Sequence, residues 1–443
     1  MTPRKVPLAG LAAEELRELW PGLSTEERHE AFDHMASRTE REDFFISLSA
    51  RHHAELILEF PPDRRRAWLR LLAPDDVVDL IQEAPAEERE TLVGQLDPFA
   101  QREVRALLAY AEDDAGGLMS PRYLRVRPDM RADEAISYVR KQARERSGAG
   151  HYVYVTDESQ HLLGVVSFRE LFAAPPDALM RDLMLTDLVT AGEQDDQEEL
   201  GRRFAEHDLM AIPVVDEQGR MKGIVTVDDI MDVVEEEATE DIQKFGGVQA
   251  LDQPYLEVGF AGMLRKRAPW LAVLFLGEML TATAMAYFEA EIAQAVVLAL
   301  FIPLIISSGG NSGSQASTLV IRAMALGEVS LRDFWRVTRR EFATGLALGG
   351  ILGVIGLVRV AVWGSIFDSY GPHFMLVGLT VAASLIGVVL FGTLAGSLLP
   401  FILRRLNLDP ASASAPFVAT LVDVAGVVLY FTAAAILLRG TLL

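Results

Sequence analysis

The sequence predicts a multidomain membrane protein: an α-helical N-terminal superhelical array, a duplicated α/β module, a connecting helix and a five-helix transmembrane domain. Three observations carry that prediction. Half of the 443 residues are hydrophobic, yet residues 1–267 hold 54 acidic and 32 basic side chains while residues 268–443 hold nine of each. Prolines recur every 11 to 13 residues between Pro62 and Pro98. Two stretches offset by 59 residues repeat one another. The net charge of -22 therefore belongs to the N-terminal half, which repels nucleic acid and anionic lipid and draws cations. With no cysteine, a disulfide framework and a thiolate metal site are both excluded. The opening MTPRKVPLAGLAAEELRELW has two cations but only a short apolar run before acids resume, and does not read as a signal peptide.

Residues 1–115 form the helical N domain. Pro62, Pro74, Pro85 and Pro98 each head a run such as PDDVVDLIQEA, and proline is pre-shaped for a first helical turn. The pattern suits short helices stacking into an array, and equally a bundle with proline-led turns. Residues 116–180 and 181–242 are the two copies of the repeat. YVYVTDESQHLLGVVSFRELF (152–172) aligns with AIPVVDEQGRMKGIVTVDDIM (211–231), placing Asp157 over Asp216 and Gly164 over Gly223. Each copy offers a β-branched strand, an acidic turn, a second strand and a helix, and the GIVTVDD ending resembles a tandem pair of CBS domains. That resemblance implies either a ligand sensor, with Thr226 and Asp229 contacting the ribose of an adenine nucleotide such as ATP, or a structural dimerisation module. The first copy departs from the motif, with Glu170 where the acid stands.

DDIMDVVEEEATEDI (228–242) packs acids along a helix, with Glu236 and Glu240, and Glu237 and Asp241, four apart. Each such like-charge pair costs a helix ~0.2–0.5 kcal/mol, a sign that a bound cation reverses. The run reads as a solvated face or as a cation site. Residues 243–267 are then the connecting helix, and 268–443 the transmembrane domain.

Five apolar stretches of membrane length follow, over 268–289, 292–325, 341–366, 374–402 and 414–438. The second contains SSGGNSGSQAST (307–318), whose glycines and small polar residues are expected to bend or interrupt a helix. Arg265, Lys266 and Arg267 precede the first span; Arg332, Arg336, Arg339 and Arg340 lie between the second and third; Arg404 and Arg405 follow the fourth. The alternate loops have no Lys or Arg, which puts the N-terminal half in the cytoplasm and the C-terminus outside the cell membrane. Asp423 in the last span lies about 10 Å from the cytoplasmic end of its helix at ~1.5 Å per residue. A charge at mid-bilayer costs roughly 2.5–3.5 kcal/mol, so it pairs, neutralises or serves an ion.

The order of these parts, with AEDDAGGLM (111–119), GGNSGSQASTLVIRA (309–323) and PFVATLVDVAG (416–426), resembles the MgtE family of magnesium channels over nearly the full length. The resemblance implies a Mg²⁺-selective channel in the lipid bilayer of the inner membrane that passes hydrated Mg²⁺ and closes on internal Mg²⁺. The ion site maps onto Asp423 and onto the carbonyl of Ala419, with Thr318 and Ser307 beside the path. Some relatives have a polar side chain where this chain has Ala415, which removes a contact relevant to Mg²⁺ against Ca²⁺. The sensor residues implied are Asp43, Asp75, Asp79, Gly117, Glu198, Asp208, Asp229, Asp232, Glu237, Glu240, Asp241 and Asp409. One acid per chain is too little for a divalent ion, so a homodimer is expected to bring two copies of Asp423 to a shared axis. A proton-coupled Mn²⁺ or Co²⁺ secondary transporter is the alternative. Enzyme activity is not expected: H-E-x-x-H is absent, the nearest run being HEAFD from His29, and no Ser/His/Asp arrangement occurs in the spans. An anion channel would not centre on a carboxylate.

Overall fold

A computed structural model describes residues 13–145, 151–251, 253–367 and 370–442. The first twelve residues of the opening stretch, and so most of the segment tested for a signal peptide, lie outside them. The chain forms two compact units, Met1–Val234 and Glu235–Leu443.

The described residues of the first unit begin with eight short helices: α1 (Ala13–Leu19), α2 (Thr25–Asp33), α3 (Arg38–Ile46), α4 (Ala50–Glu59), α5 (Pro62–Leu69), α6 (Pro74–Glu83), α7 (Ala86–Gln95) and α8 (Pro98–Leu107). Proline occupies the first turn of α5, α6 and α8, and Pro85 caps α7, so the proline spacing does mark helix starts. Helix α6 buries Val77, Val78, Leu80 and Ile81 in a core shared with Leu200, Ile212 and Ile230 of the repeat region. Its remaining face is left with Asp75, Asp76 and Asp79.

The short α9 (Ala115–Leu118) leads into two three-stranded sheets of the same design. In the first, β1 (Arg125–Val126) runs parallel to β2 (Tyr152–Thr156), which pairs antiparallel with β3 (Leu162–Ser167). Helices α10 (Ala132–Glu145), α11 (Phe168–Ala173) and α12 (Met180–Leu183) accompany it. In the second, β4 (Ala191–Gly192), β5 (Ala211–Val215) and β6 (Met221–Thr226) repeat the pattern, with α13 (Gln197–His207) between β4 and β5. The aligned glycines have one explanation. A Cβ on Gly164 would stand 2.7 Å from the Leu185 carbonyl oxygen, and one on Gly223 2.6 Å from that of Ser120, because each final strand takes an extra backbone bridge there.

Helix α14 (Val227–Phe245) includes the acid run in one continuous piece. The connecting helix expected over 243–267 is instead divided. Gly247 ends the preceding helix at φ +73°, with the Trp270 ring so close that a Cβ would meet Cδ1 at 2.6 Å. Helicity resumes only after Gly259, so residues 260–267 are the opening turns of the first span, α15 (Phe260–Tyr287).

Among its described residues, the second unit holds five helices long and apolar enough to cross a membrane. After α15 come the short α16 (Glu289–Gln294), then α17 (Ile302–Ala325), α18 (Phe334–Phe367), α19 (Phe374–Arg405) and α20 (Ala415–Leu437). The expected break at 307–318 is not there: α17 is unbroken, and the irregular turn precedes it at Val296–Phe301. The glycines serve contact rather than bending. A Cβ on Gly392 would stand 2.2 Å from the Gly309 carbonyl oxygen, and one on Gly396 2.0 Å from that of Gly313, so two small-residue ridges lock α17 to α19 backbone to backbone. Ser312 and Thr393 hydrogen-bond across the same seam at 2.7 Å.

Gly396→Val is therefore expected to part the two spans, costing about 1–3 kcal/mol, whereas Gly387→Val on the open side of α19 is near neutral. Thermal unfolding of the detergent-solubilised protein measures both.

Candidate metal sites

In the second unit, α17 presents Ser307, Asn311, Gln315 and Thr318 on one exposed face, at spacings of four, four and three. The Thr318 hydroxyl donates back to the Ser314 carbonyl at 2.7 Å, keeping its lone pairs available. Helix α20 runs alongside. Ser317 Oγ donates to the Ala413 carbonyl at 2.9 Å, Ser314 Oγ to that of Ala415 at 3.5 Å, and Gly310 faces Ala419. Ala415, Ala419 and Asp423 follow one another at one-turn intervals along α20. Asp423 is half-buried, and the residue against it is Glu278 of α15, whose carboxyl lies within hydrogen-bonding reach. The sequence reading singled out Asp423 alone. Glu278 meets the same criterion, an acid in an apolar span, and that was the signal available.

In the first unit, three expected residues come together. Asp75 and Asp79 of α6 and Asp229 at the start of α14 form one acidic nest, joined by Asp76, Asp228 and Glu112, which the sequence reading missed. Asp75 accepts from Ser120 Oγ at 3.0 Å, and Asp76 accepts from the Ala73 amide at 3.2 Å, capping α6. Asp229 accepts from Thr226 Oγ1 at 2.7 Å, so the two residues assigned to ribose bond each other. Burial, with Asp76 and Asp229 adding repulsion, pushes Asp75 up to about 7. Burial and then Asp75, Asp229, Asp76 and Glu112 push Asp79 up to about 8. Burial pushes Asp229 up to about 6 against the opposing Thr226 hydrogen bond.

The other expected residues are dispersed. Asp43 is exposed on α3. Gly117 lies in α9, where a Cβ would strike the Ala111 carbonyl oxygen at 2.3 Å. Glu198 sits in the first turn of α13 and Asp208 caps that helix at φ +49°. Asp232, Glu236, Glu237 and Asp241 follow along α14. Glu240 and Asp409 are joined by the Lys244 ammonium, which contacts both and lies 2.7 Å from Asp409. Burial works to lower the Lys244 pKa, but its bonds to Asp409 and Glu240 prevail and raise it. Glu240 and Lys244 line a cavity of about 450 Å³ together with Trp270, Lys266 and Ser412. Among the described residues, no group of three or more His, Asp or Glu is arranged to hold a metal ion directly.

Raised carboxylates bind protons more tightly in the folded state. The stability from the protonated nest is complete below the unfolded value of 3.8 and is lost as pH rises through about 6, 7 and 8. With a chelator present, amide-exchange protection factors of α6 and the first turn of α14 should fall between pH 5 and pH 8. Mg²⁺ should restore them at pH 8, and Asp79→Asn should flatten the profile.

Comparison with known proteins identifies the family and its domains. The divalent cation transporter family MgtE matches residues 302–433, the MgtE intracellular N domain 11–113, and CBS domains 115–177 and 180–236. The magnesium transporter MgtE of Thermus thermophilus is 39% identical over 96% of this chain and 93% of its own length. That of Bacillus subtilis is 34% identical over 81% of this chain and 77% of its own. Among solved structures, the cytosolic domain of the Mg²⁺ channel MgtE in complex with ATP is 37% identical, covers 51% of this chain and 92% of its own, and has a TM-score of 0.47.

Proposed function

The chain belongs to the MgtE family of magnesium transporters, and from that premise we propose that it is a Mg²⁺-selective channel admitting the ion to the cytoplasm and closed by internal Mg²⁺. It is a multi-pass membrane protein with a CBS pair. The observation that carries the reading is Asp423, an acid in an apolar span beside a helix face of hydroxyls and amides. Such a face is stable in a bilayer only against water or protein. Mg²⁺ holds its water shell tightly, so the path recognises the hydrated ion through outer contacts. Asp423 and the Ala419 carbonyl accept from its waters, and Ser307 and Thr318 flank the route. The same exposed face supports a homodimer, since a second copy would enclose it.

Closure follows from the acidic nest. Cations among Asp75, Asp79 and Asp229 cancel repulsion that burial makes severe, and their loss frees the carboxylates to repel. No ready-made ligand set is required, because screening acts through water. Asp43, Glu198, Asp208, Asp232, Glu237 and Asp241 add to that cation-attracting field, and the Gly117 carbonyl accepts from an ion's water. Lys244 already occupies the space between Glu240 and Asp409, acting as a tethered cation there. The CBS pair is a candidate adenine-nucleotide site through Thr226 and Asp229, which must part from each other to reach a ribose. The arginine flanks support a soluble half in the cytoplasm and a C-terminus outside.

The Glu278–Asp423 contact favours one second reading, proton-coupled divalent cation transport, because touching carboxylates hold a cation or a proton between them. Uptake into proteoliposomes separates the two. A channel carries Mg²⁺ down its own gradient at a rate indifferent to an imposed proton gradient, and Asp423→Asn reduces it at least about tenfold. Proton-driven uptake would overturn the channel reading. Chelating Mg²⁺ should also quicken proteolysis of the soluble half, and Lys244→Met should change the internal Mg²⁺ needed for closure by a few-fold.

A further inference from the structure

Glu278 lies outside the residues matched by the transporter family, and no role above depends on it except by contact. Three contacts hold α15 along α20. Trp270 Nε1 donates to Ser414 Oγ at 3.1 Å, and the Trp270 and Phe417 rings lie 6.1 Å apart. Further along, Gly277 comes so close that a Cβ would stand 2.9 Å from Thr420 Cγ2. The next residue is Glu278, and one turn beyond Thr420 is Asp423.

None of the residues of α15 is buried within the chain, so Glu278 has no protein cage of its own. No basic side chain among the described residues bonds it; its partner is Asp423. In a span, such an acid persists where it meets water or an ion. Asp423 is a place where both are expected.

We propose that Glu278 is a second ion-binding residue of the permeation path, sharing with Asp423 the water shell of one divalent cation, and that Gly277 positions it by letting α15 close on α20. The inference rests on the transport reading and deepens it. Two carboxylates on separate helices accept from different waters of the same hydrated ion. Together they match its charge from a single chain, which one acid could not. The longer glutamate side chain suits the role, since it extends from the exposed helix toward an acid fixed on the packed one.

The test uses the full chain in proteoliposomes, reading the initial rate of Mg²⁺ entry and its block by hexaamminecobalt(III), an inert mimic of hydrated Mg²⁺. Glu278→Gln is expected to lower the rate at limiting Mg²⁺ about tenfold and to weaken the block by a similar factor. Glu278→Asp, which keeps the charge and shortens the reach, should retain intermediate values, and Gly277→Val should resemble Glu278→Gln. A purely structural role would lower the rate through less inserted protein and leave the blocking concentration unchanged. Parent-like rate and block in Glu278→Gln overturn the inference. If that variant does not insert, an unchanged block in Glu278→Asp overturns it. A parent that admits no Mg²⁺, or an Asp423→Asn variant that admits it normally, overturns the transport reading instead.

Discussion

A carboxylate taken out of water must find a proton, a cation or a set of donors, and both units of this chain are organised around that demand. In the first unit, α6 turns its apolar face to the core and thereby forces Asp75 and Asp79 against Asp229. The donors supplied there are few: the Ser120 hydroxyl for Asp75, the Ala73 amide for Asp76, and the Thr226 hydroxyl and amide for Asp229. Coulomb repulsion is left partly unanswered. A structure that leaves it so is inexpensive to open and responsive to any soluble cation.

The membrane unit answers the same demand by rigidity. Gly309 and Gly313 meet Gly392 and Gly396 at backbone contact, so α17 cannot slide or roll against α19. Ser317 and Ser314 then tie α17 to the start of α20. Asp423 is thus fixed in depth and direction by helices that have no freedom to retreat from it. Helix α15 differs, being held to α20 at its N-terminal end and at Gly277, with none of its residues fully buried.

How much of this was legible in the sequence depended on whether the signal was local. Proline-led helix starts and the paired glycines of the repeat could be read because a first-turn proline and a strand glycine act on their own backbone. The five spans were legible from composition. The glycines of α17 were misread as a bend, because their purpose lies in a partner 83 residues away that no local pattern reveals. Asp76, Asp228 and Glu112 were missed for a like reason: each looks like an ordinary helix-end or loop acid until folding brings the three together. Gly247 gave a local signal against a continuous connecting helix, and the expected helix over 243–267 passed over it.

The contact between Glu278 and Asp423 changes the charge argument for pairing two chains. With a single acid per chain, symmetry was needed to assemble two negative charges around a divalent ion. With two acids in contact on one chain, the charge is already sufficient, and a two-fold pair would gather four carboxylates. Four charges around one ion over-bind it, and a conducting path needs binding weak enough for release. The same surplus, divided between two ions along the path, gives neighbouring sites whose mutual repulsion speeds departure. In the proposed pair a second chain would then bring not charge but cover: the face bearing Ser307, Asn311, Gln315 and Thr318 is too polar for lipid and is exposed among the described residues.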